Sequence, residues 1–181
     1  MSMFDARQYI IEEKLATLRF VLCVKDVNGT PLGYVKHQRK GLAGLNFLFE
    51  DIRGVQLGEV DKKGGLVPSE YEVKDQSGEL VGRIRFPQES KWRWPWWMED
   101  AQGKRLFTTG KGDYREHGFP IVAPDGNAIA QVHKKWVTTR DSYSIEILRQ
   151  DFDPFLILSY VITMHEQARA RHQSIFDLSP Y

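Results

Sequence analysis

The sequence predicts a mainly β (α+β) protein: a closed antiparallel barrel of about twelve strands around a buried C-terminal hydrophobic helix. Three observations carry that expectation. A strand–turn–strand unit recurs between Arg19 and Trp136, the segments flanking its turns alternate apolar with polar, and Phe155 to Met164 (FLILSYVITM) is apolar around its whole circumference. A helix with no polar face must be wrapped on every side. A twelve-stranded sheet closed on itself would be hollow, since about eight strands suffice for side chains to fill the interior. Each feature supplies what the other lacks, and closure removes the sheet edges.

From the N-terminus, MSMFDARQY has no charged segment leading into an apolar core, so no secretory signal is expected. Residues 9 to 15 (YIIEEKL) read as the first strand, because Tyr9, Ile11 and Leu15 alternate; Ile10, Ile11 and Leu15 would also suit a helix. Turns follow at Asp26–Gly29 (DVNG), Asp51–Gly54 (DIRG), Asp75–Gly78 (DQSG), Asp100–Gly103 (DAQG) and Asp125 with Gly126. Their glycines are 25, 24, 25 and 23 residues apart, which marks one supersecondary unit used repeatedly. Asp at the start of such a turn bonds the amide two residues on, and Gly at its end takes the positive φ that closes a hairpin. Four residues after the glycines stand Gly33, Gly58, Gly82, Phe107 and Ala130, all small or apolar.

Alternation around the turns, as in Tyr71 and Val73 against Glu72 and Lys74, gives ten strands from five hairpins. Tyr143 to Leu148 (YSIEIL) adds an eleventh, and the N-terminal segment completes twelve. Asp153 suits a helix N-cap and Pro154 a first helical position. The expected division is one domain over residues 1–181, with strands over about 8–149, a central helix over about 154–170 and a short tail. A chain of 181 residues is long enough to bury about 70% of its unfolded surface in one core.

Composition excludes several classes of function. With 25 basic and 24 acidic residues the formal net charge is +1, which is not a nucleic-acid signature. The single cysteine, Cys23, rules out an internal disulfide framework, and its place in an apolar run reads as a packed small hydrophobe. His165-Glu166 resembles the start of a zinc-protease helix, but Arg169 stands where the second histidine should be. That pair reads as a helix end leaving the barrel. Thr109 to Gly112 (TGKG) lacks phosphate-loop spacing, and no G-x-S-x-G elbow occurs. No enzyme, cofactor or metal is therefore expected.

Two surface features remain. In Trp92 to Trp97 (WRWPWW), Trp92, Trp94 and Trp96 share one strand face; packing against the core is the expectation, and an interfacial anchor the alternative. Basic residues gather near strand ends, at Lys36, His37, Arg39 and Lys40, at Lys62 and Lys63, and at Lys134 and Lys135. Solvated strand ends are the default for these; if the barrel gathers them, they would suit phosphate or an anionic headgroup.

The segment YIIEEKL, the D-x-x-G hairpins, Val132 to Val137 (VHKKWV), Asp141 to Ile147 (DSYSIEI) and the apolar helix after Asp151-Phe152-Asp153 together resemble the LURP-one-related proteins, kin of phospholipid scramblases and the Tubby C-terminal domain. The resemblance spans roughly Gln8 to Glu166 and implies a Tubby-like barrel around a central helix. It implies less about activity, because Tubby domains bind phosphoinositides whereas scramblases are tied to calcium and lipid movement. The acidic calcium segment of scramblases is reduced here to Asp141, Asp151 and Asp153, with Tyr143 where a further acid would be wanted. Three acids do not supply the roughly six oxygens calcium needs.

The resulting expectation is a non-enzymatic, monomeric, cytoplasmic barrel that binds a ligand or partner, with an anionic phospholipid headgroup at the membrane periphery as the leading case. The alternatives are a protein-interaction scaffold without a small ligand and a scramblase-like lipid-handling protein. Transmembrane insertion is not expected, since ten apolar residues rise about 15 Å against a hydrocarbon core of about 30 Å.

Overall fold

The computed structural model describes residues 3–14, 21–40, 44–64, 70–86, 95–110, 118–137 and 140–176, without the side chains of 39, 40, 44, 45, 134–137, 140, 141 and 168–176. A short 3-10 turn, Met3–Asp5, precedes the strands. Among the described residues these are β1 (Gln8–Glu13), β2 (Val21–Lys25), β3 (Pro31–Lys40), β4 (Gly44–Asp51), β5 (Gln56–Lys63), β6 (Glu70–Asp75), β7 (Leu80–Arg85), β8 (Trp97–Asp100), β9 (Arg105–Thr109), β10 (Phe119–Val122), β11 (Ala128–Val137) and β12 (Arg140–Ile147), followed by the helix α1 (Pro154–Phe176). The strands close into one barrel in the order β1-β12-β11-β10-β9-β8-β7-β6-β5-β4-β3-β2. The ambiguous N-terminal segment is a strand, and it closes the ring: Tyr9 and Ile11 bury inward while β1 pairs with β12 on one side and β2 on the other.

The repeat is a run of hairpins with one construction. In the first, the Gly29 amide donates to the Asp26 carbonyl at 3.0 Å, Gly29 has φ 82°, and Asp26 Oδ1 accepts from the amides of Asn28 and Thr30 at 2.9 and 2.8 Å. The turns opened by Asp51, Asp75 and Asp100 repeat both carboxylate bonds. Each hairpin also carries a register shift beside its turn, as a tight turn followed by a left-handed glycine requires. The fifth turn keeps the backbone but shifts the acid: Ala123 opens it, and Asp125, one residue before Gly126, bonds Asn127 and pairs with Arg149.

All five turns lie at one end of the barrel, because each joins two neighbouring antiparallel strands. The longer connections lie at the other end, called here the rim. Helix α1 enters from the turn end. Asp153 Oδ1 accepts the Phe155 amide at 2.8 Å, capping the helix as expected. Residues 154–165 are then buried without interruption. Of the two hydroxyls on this surface, Thr163 Oγ1 donates to the Ser159 backbone carbonyl at 2.8 Å, whereas the buried Ser159 hydroxyl has no hydrogen-bond partner among the described residues. The Tyr160 hydroxyl donates to the Trp96 carbonyl at 2.7 Å, tying helix to wall. Trp96 is buried as expected for the core; Trp92 and Trp94 lie outside the described residues.

The glycines four positions after the turns give the helix room. A methyl on Gly58 would lie 2.5 Å from Cζ of Phe155, one on Gly82 3.1 Å from Cδ2 of Leu156, and one on Gly33 2.1 Å from Cε of Met3. The large residues at the helix entrance and in the N-terminal turn therefore sit on the barrel wall where side chains are missing. No helix among the described residues is long and apolar enough to cross a membrane.

Candidate ligand-binding rim

Strand direction decides where the basic residues go. Strands β3, β5 and β11 each begin at a tight turn and end at the rim, so positions 36, 39, 40, 62, 63, 134 and 135 all fall toward that end. Strands β3 and β5 are separated by β4 alone; β11 lies four strands from β3, across β2, β1 and β12. The structure thus brings these strand positions to one end, on separate arcs of the barrel wall.

The described side chains differ in what they already hold. Lys36 is bonded to Glu50 across the outer wall, and Lys63 Nζ lies 3.1 Å from Glu72. The wall continues this pairing through Lys74, bonded to Asp61 and 3.8 Å from Glu59, and through Arg85, 2.5 Å from Glu70 and 3.2 Å from Glu99. The bond from Asp61 is the main reason the Lys74 ammonium holds its proton more tightly than usual. Lys62 is different. It stands opposite buried Tyr71, in register with inward-facing Val60 and Val73, is half-buried, and has no ion-pair partner among the described residues. Arg39, Lys40, Lys134 and Lys135 are placed by backbone only, their side chains lying outside the described residues.

Inside the rim the apolar core gives way to a polar layer that the sequence reading did not anticipate. His165 does not leave the barrel: it is buried, and its Nδ1 lies 2.8 Å from the Tyr143 hydroxyl. Glu166 Oε2 is 3.2 Å from Nε2 of His37, and its Oε1 is 3.9 Å from Nε2 of His165. Gln167 donates to the Tyr71 hydroxyl. Burial, with Glu166 nearby, pushes the Tyr71 phenol well above its usual range, so it remains a neutral hydrogen-bonding group. The hydroxyl, imidazole and carboxylate groups face one another because the barrel wall extends about a turn of helix beyond the apolar run. Two signals pointed this way: His37 shares the alternation of buried Val35, and Met164-His165-Glu166-Gln167 continues the helix without a break.

The acids considered for calcium are not gathered. Asp141 stands opposite Trp136 near the rim, with its side chain outside the described residues, whereas Asp151 and Asp153 are at the turn end, about 20 Å away by strand rise. Asp151 accepts from Arg149 at 2.6 and 3.0 Å, which holds its carboxyl below the usual range, and Asp153 caps α1. Among the described residues no group of three His, Cys, Asp or Glu side chains could hold a metal ion. Cys23 is a buried thiol on β2, opposite Tyr34 in register, as its setting in an apolar strand implied.

Comparison with solved structures finds a similar fold in an X-ray structure of a protein from Arabidopsis thaliana, with a TM-score of 0.64 and 18% sequence identity, covering 92% of this chain and 94% of that one. At this identity the likeness speaks for the fold. No functionally curated protein matches. The LURP-one-related family model matches residues 7–165, from the first strand to the buried histidine of the central helix. A barrel of this topology with a match over that span identifies the chain as a member of the LURP-one-related family.

Proposed function

We propose that the protein is a non-catalytic barrel that binds an anionic ligand at its rim, the ligand being a phospholipid headgroup presented at a membrane surface. The observation that carries this reading is the strand direction that sends Lys36, Arg39, Lys40, Lys62, Lys63, Lys134 and Lys135 to one end. Lys62 is the focus, since a half-buried ammonium with no ion-pair partner among the described residues attracts a phosphate more strongly than a solvated one. The pairs at Lys36 and Lys63 do not oppose the reading. The Lys63–Glu72 pair is solvent-facing and worth about 0–1 kcal/mol, so a phosphate oxygen can replace its carboxylate at little cost, whereas Lys36 keeps its bond to the buried Glu50 and adds its charge from there. Each basic group close to an anionic leaflet adds about 1 kcal/mol, which makes several of them sufficient for reversible, salt-sensitive attachment.

The test is sedimentation with phosphatidylcholine vesicles that contain or lack a phosphoinositide, at low and at physiological ionic strength. Binding only to the phosphoinositide vesicles, weakened by salt and by Lys62→Glu, is the expected result. Equal partitioning to both vesicle types, or none to either, overturns the reading and favours a scaffold without a lipid ligand.

A further inference from the structure

The end of the barrel opposite the rim has a different chemistry. The exposed large hydrophobic side chains among the described residues, Val27, Ile52, Val55 and Leu148, all lie at the turn end. Val27 and Ile52 are on the tips of neighbouring hairpins, and Val55 leads from the second tip toward Leu57. Beside them opens a shallow cleft of about 480 Å³, bounded by Phe4, Leu57 and Phe155 and by the carboxylates of Asp75 and Asp153.

Glu50, Glu72, Glu99, Asp125 and Asp151 each face a lysine or arginine, whereas Asp75 and Asp153, like the tight-turn acids Asp26, Asp51 and Asp100 at the same end, have no ion-pair partner among the described residues. Asp75 Oδ1 accepts from Ser77 and Glu79, and Asp153 Oδ1 from the Phe155 amide, which fixes both carboxylates in position at the edge of the cleft they line. The helix N-terminus contributes about half a positive charge, less than the two negative charges beside it. An apolar floor edged by two fixed carboxylates fits a long cationic side chain, whose methylenes lie on the aromatic rings while its head meets the acids.

We propose that the turn end is a docking surface for a basic peptide segment of a partner protein, with one lysine or arginine seated between Asp75 and Asp153 and flanking aliphatic residues over Ile52 and Val55. The exposed aliphatics beyond the cleft select a peptide over a free amine, because a small cation would leave them uncovered. This face and the rim are at opposite ends of the barrel, so the protein can hold an anionic ligand and a basic partner at once.

The probe is a fluorescein-labelled decapeptide of alternating leucine and arginine, with an alternating leucine–glutamate peptide as control, followed by anisotropy at physiological salt. Asp75→Asn with Asp153→Asn removes both charges while asparagine keeps an acceptor for the turn and the helix cap. The expected result is saturable binding of the basic peptide, weakened at least tenfold in the double variant and severalfold by Ile52→Ser, and unchanged by Lys62→Glu at the rim. Ile52→Ser alters a solvent-facing tip and keeps the test valid if the double variant does not fold. Absent binding, equal binding of the acidic peptide, or unchanged affinity in these turn-end variants overturns the proposal. Loss of vesicle binding in Lys62→Glu with peptide binding retained separates this surface from the rim.

Discussion

Replacing Gly58 with alanine tests whether the helix is fitted to the barrel wall. The added methyl would lie 2.5 Å from Cζ of Phe155 and 2.8 Å from the Lys74 carbonyl oxygen, against a comfortable separation of about 3.5–4.0 Å. Phe155 cannot simply retreat, since Phe4 and Phe49 hold its ring at centroid distances of 5.0 and 5.2 Å. Overpacking of this kind costs about 1–3 kcal/mol, and the loss of glycine's unfolded-state freedom offsets roughly 0.4–1 kcal/mol. The backbone contact pushes the net toward about 2 kcal/mol, or about 4–8 °C in Tm for a domain of this size. Gly29→Ala is the control: nothing lies within 4 Å of its methyl, so only the strain of φ 82° remains, about 1 kcal/mol. Phe155→Leu removes Cζ but leaves the Lys74 contact, so in the double variant the two changes should couple favourably by about 1 kcal/mol or more. Calorimetry and urea unfolding of the four proteins give the cycle. A Gly58→Ala protein as stable as the parent, or strictly additive changes, would refute the fitted-wall argument.

Three further outcomes follow from the same structure. Val161→Asp puts an unpaired charge at a fully enclosed helix position and should abolish soluble folded protein, so a cooperatively melting Val161→Asp variant would contradict the buried helix. The Asp75 carboxyl is held below its usual range by Ser77, and that of Asp125 by Asn127. Their folded pKa values therefore lie below the unfolded ones, so the stability they contribute is present above about pH 4 and is lost as pH falls through the folded values. The urea midpoint should accordingly drop between pH 5 and pH 3, and Ser77→Ala should shrink the drop; a flat profile, or one identical in Ser77→Ala, counts against this. Burial pushes the Cys23 thiol up, so at pH 8 its reaction with a disulfide reagent should be at least tenfold slower in the native than in the unfolded protein, and equal rates would show an accessible thiolate.

What was legible in the sequence was what local chemistry dictates. An aspartate bonding amides two and four residues ahead, and a glycine closing the turn, need no knowledge of the rest of the chain, so D-x-x-G revealed the hairpins. The fully apolar helix was equally plain, because ten residues without a polar face admit few environments. The role of Gly33, Gly58 and Gly82 was visible only as a small residue at a fixed offset, since what each glycine accommodates comes from a segment distant in the chain. The state of the basic residues was hidden for the same reason. Whether Lys36 meets Glu50, or Lys63 meets Glu72, depends on the register of strands across the wall. The polarity of His165-Glu166 reads in the sequence as a helix end leaving the barrel, whereas Tyr143 bonds His165 and His37 faces Glu166, partners that make burial tolerable.

The most direct test of rim-first lipid attachment uses two single-cysteine proteins in a Cys23→Ala background, one with Gln38→Cys near the rim and one with Asn28→Cys on a turn tip, each carrying an environment-sensitive dye. Mixed with phosphoinositide-containing vesicles bearing a headgroup quencher, the dye at position 38 should be quenched in a salt-sensitive way while that at position 28 is unaffected. Equal quenching at both positions, or quenching at position 28 alone, would contradict attachment through the rim.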